Sequence, residues 1–237
     1  MLYIIGLGLN LKGISLEGIS ALKKCKKVYL ENYTVEFPYS ISELEKVLKR
    51  KIIEADRNVV ESDILIKEAL RENICLLIYG SPLFATTHMS LIEDCKKNKI
   101  KFKIIYSSSV FDALGETGLQ LYKFGKISSM PKWQEHFTPV SFLKSVLQNR
   151  KIDAHTLILV DIGLKFENAI NEMEIASKET GIKIDKIVVC SKVGLSGKIY
   201  YGSLKKLKSK KVPAPFCFIV PGKMHFLEEE GLKSIRV

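Results

Sequence analysis

The sequence predicts an α/β protein with two domains, an N-terminal α/β domain over 1–115 and a C-terminal α+β domain with a mixed sheet over 116–237. Short apolar runs typical of buried strands alternate with helical patterns in the first half. The second half has more strands for each helix. Alternating strands and helices favour a mainly parallel sheet, because each crossover packs back on the sheet face. The hinge between the domains is expected near 107–125.

In the first half the apolar runs predict strands and the periodic segments predict helices near 60–72 and 88–98. Ser15 is expected to cap the first helix. Ser42 and Glu45 match a capping box before a short second helix. Thr86 or Thr87 is placed to cap the helix that follows the fourth strand. The predicted strands are 2–7, 28–30, 52–55, 74–78 and 102–106.

In the second half the sequence predicts helices at 139–149 and roughly 167–180. Thr138 and Pro139 suit the cap and first turn of the earlier helix. Gly181 suits the end of the later one. The predicted strands are 156–162, 184–191, 199–202 and 216–220.

Composition narrows the class of protein. The net charge of +11 would attract phosphate or an acidic partner, yet only five of the 37 basic residues are arginines and no aromatic residues are interleaved with the lysine clusters. A lysine-rich solvated surface is favoured over direct nucleic-acid binding. Five scattered cysteines and four scattered histidines predict reduced core thiols in a cytoplasmic protein and no metal site. Neither a membrane span nor a secretory signal is expected.

Four small, polar loops are candidates for ligand binding. In open α/β sheets ligands bind at the carboxyl ends of the strands, and small loops let the backbone approach a ligand closely. These loops are Gly6–Asn10, Gly80–Thr87, Ser107–Ser109 and Gly194–Gly197.

GLGLN, which contains the first of these loops, resembles half of a dinucleotide-binding fingerprint. Leu11 stands where the third glycine is needed, while Glu31 closes the second strand at about the distance of a ribose-binding acid. A weak NAD-binding hypothesis therefore stays open beside a plain glycine turn.

The order of three segments carries a more specific resemblance. GLGL, then GSPLFATTH, then SSSVFDALGETGLQLYKFGK closely resembles the diphthine synthases, a branch of the tetrapyrrole-methylase-like class of S-adenosylmethionine-dependent methyltransferases. The similarity extends over essentially the whole chain. Its most specific pieces are TGLQLYKFG (117–125), HTLILVDI (155–162) and VPGKMHFLE (220–228).

The resemblance implies two α/β domains with the cofactor in the cleft between them, and a homodimer. It implies methyl transfer from S-adenosylmethionine, with S-adenosylhomocysteine as product, to a modified histidine of elongation factor 2 in diphthamide biosynthesis. Two alternatives of the same fold stay open: a methylase of small tetrapyrroles, and a degenerate, non-catalytic binding protein with an acidic or ribosome-associated partner.

Carried over position by position, the resemblance implies eight cofactor contacts. Val160 and Cys217 are equally explained as core residues, and Ser109 as an N-cap. Gly194 suits a turn or a close backbone approach. The eight positions are Leu9, Ser81, Phe84, Ser109, Val110, Val160, Gly194 and Cys217.

No side chain identifies itself as catalytic. Glu31, Tyr33 and His88 are exploratory candidates, and a surface or helix-cap role is favoured for each. Ser81 departs from the family, whose loop reads Gly-Asp-Pro where this chain has Gly-Ser-Pro. Smaller departures are Gly163, where relatives often have lysine, and Ser191-Lys192 in place of Ala-Arg.

Overall fold

Two separate five-stranded sheets organise the chain, one in each of two units, Met1–Val110 and Phe111–Val237. The computed structural model describes residues 1–85 and 88–235. The predicted α/β fold class is confirmed. No helix within these ranges is long and apolar enough to cross a membrane.

The first sheet is parallel throughout, with strand order β3-β2-β4-β1-β5. Its central strands β1 and β4 are continuous apolar runs because helices cover both sheet faces. The strands are β1 (Leu2–Gly6), β2 (Lys27–Glu31), β3 (Ile53–Ala55), β4 (Ile74–Ile78) and β5 (Phe102–Ile105). The helices are α1 (Leu16–Leu22), α2 (Ile41–Leu48), α3 (Arg57–Glu61), α4 (Ile64–Arg71) and α5 (Met89–Lys97).

The second sheet is mixed, with order β6-β7-β10-β8-β9, and among its described strands β6 and β7 form the parallel pair. The strands are β6 (Ser128–Met130), β7 (Thr156–Val160), β8 (Ile187–Ser191), β9 (Lys198–Gly202) and β10 (Phe216–Val220). The helices are α6 (Val110–Ala113), which crosses from the first unit, α7 (Ser141–Arg150), α8 (Phe166–Thr180), α9 (Leu204–Leu207) and α10 (Phe226–Ser234). Short 3-10 helices span Leu114–Thr117 and Leu121–Lys123.

Two predicted helix ends are confirmed. Ser15 accepts a hydrogen bond from the Gly18 N–H at 3.0 Å, and Gly181 ends α8 in the left-handed conformation. The helix predicted near 60–72 is two helices, since the chain turns to an extended conformation at Ser62. The predicted caps at Thr86 and Thr87 lie outside the described residues.

Two other predicted caps are wrong. The capping box of α2 is formed by Ser40 and Glu43; Glu45 instead accepts the Ile52 N–H at 2.9 Å. Helix α7 begins at Ser141 without a side-chain cap. The carbonyl of Pro139 instead accepts a bond from the indole of Trp133 at 3.2 Å.

Candidate functional site

The carboxyl ends of β1, β4 and β5 meet at one edge of the first sheet, because these three neighbouring strands run parallel. The loops that follow them touch one another. Gly8 donates its N–H to the carbonyl of Gly80 at 3.0 Å, and Gly80 donates to the carbonyl of Gly8 at 2.9 Å. The Ser107 hydroxyl donates to the carbonyl of Gly13 at 2.7 Å. Three of the four loops singled out from the sequence therefore share one edge.

Glycine is required where the first two loops cross. Gly8 (φ +67°) and Gly80 (φ +76°) adopt the left-handed conformation that favours glycine. A Cβ atom at Gly6 would lie 2.7 Å from the Gly80 carbonyl oxygen. Contact between two loops thus explains the glycines of GLGLN without a dinucleotide.

The loop after β4 holds two non-glycine residues in the left-handed region, Leu83 (φ +67°) and Ala85 (φ +53°). Each such residue costs about 1–2 kcal/mol relative to ordinary backbone. The Phe84 N–H donates to the Ser81 carbonyl at 3.4 Å, which closes a tight turn between them. Backbone strain of this kind concentrates at ligand-binding loops.

The cofactor contacts predicted in the first unit lie on these loops, except Val110, which is the first residue of α6. Leu9 is buried, and its carbonyl accepts a hydrogen bond from the Tyr79 hydroxyl at 3.1 Å. Ser109 is buried directly before α6. The full set is Leu9, Ser81, Phe84, Ser109 and Val110.

The contacts predicted in the second unit share an edge of the second sheet. Val160 ends β7, and Gly194 (φ +76°) lies in the turn after β8. Cys217 lies near the start of β10, opposite Leu159 and Cys190. Since β10 runs antiparallel to both neighbours, its start lies beside their ends. Val160 packs on the core and Cys217 is buried, so the core role foreseen for each is also satisfied.

The arrangement expected for a dinucleotide site is absent from the first sheet. A ribose-binding acid must end the strand beside the glycine loop, but β4 lies between β1 and β2. Glu31 is fully buried and serves its own loop: its carboxylate accepts from the Tyr33 and Thr34 N–H groups at 2.8 and 2.7 Å and from the Thr34 hydroxyl at 2.5 Å. The NAD-binding hypothesis is therefore wrong about Glu31.

His88 is enclosed at the start of α5. Its ring is 1% exposed, and neither ring nitrogen has a hydrogen-bond partner among the residues that the structure describes. It meets the Tyr33 ring edge-on at 6.5 Å between centroids, and the Arg57 guanidinium lies 5.3 Å from the Tyr33 centroid. Burial lowers the pKa of His88 against the attraction of Glu31 and Glu61, which keeps the ring neutral near pH 7. The contact between the Tyr33 and His88 rings is the role that the structure shows for these two residues.

A buried polar network in the second unit was missed by the sequence analysis. The Glu228 carboxylate is fully buried and accepts hydrogen bonds from Lys123 Nζ at 2.5 Å and His155 Nε2 at 3.0 Å. It also accepts from the backbone N–H groups of Gln120 at 2.9 Å and His225 at 2.7 Å. The network joins the three segments that carry the most specific resemblance, and that coincidence was the available signal.

The protonation state of this network is well defined. Burial raises the pKa of Glu228, but the hydrogen bonds from Lys123, Gln120, His225 and His155 outweigh burial and bring the pKa to about 2. Burial lowers the pKa of His155. Its Nδ1 accepts the Gly222 N–H at 2.9 Å, so the neutral ring carries its proton on Nε2 and donates it to Glu228.

The edge formed by β1, β4 and β5 has the chemistry of a small-molecule site. The three loops carry the hydroxyls of Ser81, Ser107 and Ser109 and the apolar side chains of Leu9 and Phe84. Hydroxyl and backbone N–H groups of such loops can hold the carboxylate and ribose of a nucleoside-linked amino acid, and Gly8 and Gly80 carry no side chain that would keep a ligand away from the backbone. The residues fit S-adenosylmethionine.

Comparisons with known proteins agree with this fold. Residues 1–208 match the family described as Tetrapyrrole (Corrin/Porphyrin) Methylases. A diphthine methyl ester synthase of Dictyostelium discoideum is 36% identical, with 100% of this chain and 98% of that protein covered. A diphthine synthase of Methanocaldococcus jannaschii is 38% identical over 99% of this chain and 98% of that protein. This chain belongs to the diphthine synthase branch of the tetrapyrrole methylases.

Two further matches define how far the similarity to diphthine synthases extends. A diphthine methyl ester synthase of Candida glabrata is 44% identical over 72% of this chain, and the match spans only 59% of the yeast protein's length. A crystal structure of an Entamoeba histolytica protein assigned to the diphthine synthases superposes with a TM-score of 0.90 at 33% identity, covering 100% of this chain and 98% of the other. Within this branch, the Ser81 hydroxyl stands where the resemblance leads us to expect an aspartate.

Proposed function

We propose that this protein is an S-adenosylmethionine-dependent methyltransferase that methylates the modified histidine intermediate of elongation factor 2 in diphthamide biosynthesis. The supporting observation is similarity over nearly the full length to proteins named diphthine synthase and diphthine methyl ester synthase. The cofactor would be held in the first unit by the loops after β1, β4 and β5, through Leu9, Ser81, Phe84, Ser109 and Val110. In the second unit Val160, Gly194 and Cys217 would contact it.

When bound, the cofactor supplies a methyl group on a sulfonium, which already has a good leaving group. The chain therefore contributes mainly positioning and exclusion of water. The acceptor amine must lose a proton before each transfer. Glu31 accepts three hydrogen bonds within its own loop and His88 is 1% exposed, so neither is available as the base. We propose that water takes this proton.

Ser81 is proposed to replace one function of the missing aspartate. A serine hydroxyl accepts a hydrogen bond but carries no charge to attract the sulfonium. Since a hydrogen bond to a charged group contributes about 1.5–3 kcal/mol, Ser81→Asp is expected to tighten cofactor binding about tenfold or more. Isothermal titration with S-adenosylmethionine, which carries the sulfonium, measures this change, and an unchanged affinity would mean that position 81 does not contact the ligand.

The decisive experiment is transfer of labelled methyl from S-adenosylmethionine to elongation factor 2 that carries the unmethylated precursor. Label on that protein supports the function. Label on a small tetrapyrrole and not on the protein would favour the small-molecule methylase. No label from either the natural chain or Ser81→Asp, without S-adenosylhomocysteine binding, would favour a non-catalytic binding protein.

We also propose a cytoplasmic location and a homodimer for this protein. The five cysteines are all buried thiols without a disulfide, which suits a cytoplasmic protein. A homodimer is proposed from the resemblance, and sedimentation of the purified protein tests it. Neither direct nucleic-acid binding nor membrane attachment is part of the proposal.

A further inference from the structure

Two of the five cysteines bring their thiols together inside the first unit. Cys75 lies in the central strand β4, and its thiol donates a hydrogen bond to the sulfur of Cys25, which lies between α1 and β2. The Cys75 sulfur is also 3.9 Å from the carbonyl oxygen of Lys27, at the start of β2. The Cys25 sulfur is 3.3 Å from the carbonyl oxygen of Ala21. The two sulfurs are therefore neighbours, although the residues are distant along the chain.

Cys25 is the more reactive of the two thiols. The hydrogen bond from Cys75 and the positive charges of Arg50 and the amino terminus outweigh burial and lower the pKa of Cys25. The Arg50 guanidinium is fixed beside this residue, because it donates to the carbonyl of Cys25 at 2.7 Å and to that of Leu22 at 2.8 Å. Cys25 is 5% exposed, whereas Cys75 is fully buried. Since the thiolate is the form that attacks an oxidant, Cys25 is the expected site of first attack.

The other three cysteines provide a comparison within the same chain. Cys190 lies opposite Cys217 on neighbouring antiparallel strands, so these two thiols are also close in space. Here, however, the hydrogen bond with Cys217, burial and the negative charge of Glu116 all raise the pKa of Cys190. Cys95 is buried in a different cluster, and burial raises its pKa to about 11. The lowered pKa of Cys25 is therefore not shared by Cys190 or Cys95.

We infer that Cys25 and Cys75 form a thiol pair that hydrogen peroxide oxidises reversibly to a disulfide. The Cys25 thiolate attacks one peroxide oxygen, the O–O bond breaks, and Cys25 becomes a sulfenic acid as the first water leaves. The Cys75 sulfur then attacks the Cys25 sulfur, the S–O bond breaks, and the second water leaves. The two thiols give up two electrons and two protons, and the peroxide is reduced to two waters. This chemistry is separate from the proposed methyl transfer.

Cys75 gives the pair its reversibility. A sulfenic acid that meets more peroxide is oxidised to a sulfinic acid, which thiol reductants do not restore. Because the Cys75 thiol already contacts the Cys25 sulfur, the disulfide is expected to form ahead of that second oxidation. A dithiol reductant then returns both thiols. The pair is therefore expected to protect a reactive thiol from irreversible damage.

The test follows all five thiols of the natural chain at once. The folded, reduced protein is treated with a small excess of hydrogen peroxide, and the remaining thiols are alkylated after unfolding. Mass spectrometry of the non-reduced peptides identifies the state of each cysteine over time. Cys75→Ser removes the partner thiol, and Cys217→Ser, which breaks the other pair, is the matched control. The natural chain is also treated in urea, where the contact between the thiols is lost.

The expected product of the natural chain is a peptide pair linked between Cys25 and Cys75, which dithiothreitol separates. The Cys25 thiol should disappear about tenfold or more faster than the Cys95 thiol. In Cys75→Ser, Cys25 should instead gain two oxygens, and dithiothreitol should not restore it. Cys217→Ser should behave like the natural chain.

Several results would overturn the inference. Equal rates at Cys25 and Cys95 would show that Cys25 is not activated. A link between Cys25 and Cys75 that forms only in urea would show that the folded chain does not hold the two sulfurs within reach. Sulfinic acid at Cys25 in the natural chain, without the link, would show that Cys75 is not its partner. All three are measured in the natural chain, so they stand even where a buried serine destabilises a variant.

Discussion

Two glutamates, one in each unit, are equally buried but are held by very different partners. Glu31 and Glu228 are both 0% exposed. Glu31 accepts hydrogen bonds from Tyr33 and Thr34, the second and third residues after it. Glu228 accepts from Gln120, 108 residues earlier, and contacts His155 across 73 residues. Because the hydrogen-bond donors of Glu31 are its neighbours in the chain, this carboxylate shapes one loop. The donors of Glu228 come from distant segments, so this carboxylate fixes how those segments pack together.

The largest effect should come from removing the long-range carboxylate. Glu228→Ala leaves Lys123 with its charge mostly buried and unpaired, and loss of one partner of a buried pair costs about 3–5 kcal/mol of unfolding free energy. Trp133, the only tryptophan of the chain, lies in the second unit and reports its unfolding in urea by fluorescence. Glu229→Ala, at an exposed neighbour, is the control. A loss no larger than that of the control would mean that the network does not stabilise this unit.

The pH dependence of stability should reveal the same group. The pKa of Glu228 lies near 2 in the folded protein, below the ordinary value of 4.5. Its contribution is therefore present above about pH 4.5 and is lost as the pH falls towards 2, for a total of about 3 kcal/mol. Urea midpoints of the natural chain and Glu228→Gln, followed by Trp133 fluorescence, should converge over that window. Parallel curves would contradict the assigned pKa.

The local carboxylate should have a smaller and more confined effect. Glu31→Ala leaves the N–H groups of Tyr33 and Thr34 without their acceptor, at a cost of about 1–3 kcal/mol. Hydrogen exchange of these two amides should accelerate strongly, while amides in the core of β4 exchange as before. Uniform acceleration across the first sheet would show that Glu31 stabilises more than its loop.

The smallest expected effect concerns another local hydrogen bond, the cap at the start of α2. Ser40→Ala should destabilise α2 by about 1 kcal/mol, because Ser40 accepts the Glu43 N–H at the helix start. Ser42→Ala is the comparison: Ser42 lies inside the helix, and its hydroxyl only supports the cap through a 3.0 Å contact with the Ser40 hydroxyl, so its loss should cost less. Hydrogen exchange of the α2 amides measures both, and equal effects would contradict the assignment of the cap.

Elements whose signal is local could be predicted from the sequence. The bounds predicted for β4 and β10 agree with the structure to the residue, because a buried strand is a continuous apolar run that ends abruptly. The sequence SISELE offers two overlapping capping patterns, and only the fold of the preceding loop selects Ser40 over Ser42. The strand β6, Ser-Ser-Met, has no apolar pattern of its own and exists because it pairs with β7.

The candidate site likewise contains parts with a local sequence signal and parts without one. The loops after β1, β4 and β5 could be predicted because glycine and serine clusters mark them in the sequence, and their contact follows from parallel strands. The Glu228 network could not, because its partners are distant along the chain and each is unremarkable alone. The left-handed residues Leu83 and Ala85 have no sequence signal, since their conformation is imposed by the surrounding loop.

The position of β10 in its sheet has a consequence for biosynthesis. All five strands of the first sheet lie within residues 2–105, so that sheet can assemble while the ribosome is still making the second unit. In the second sheet β10 pairs with both β7 and β8, yet it is translated after the other four strands. Until residues 216–220 emerge, β7 and β8 have no central partner and expose apolar edges. The second unit thus cannot complete its sheet until nearly the whole chain has been made.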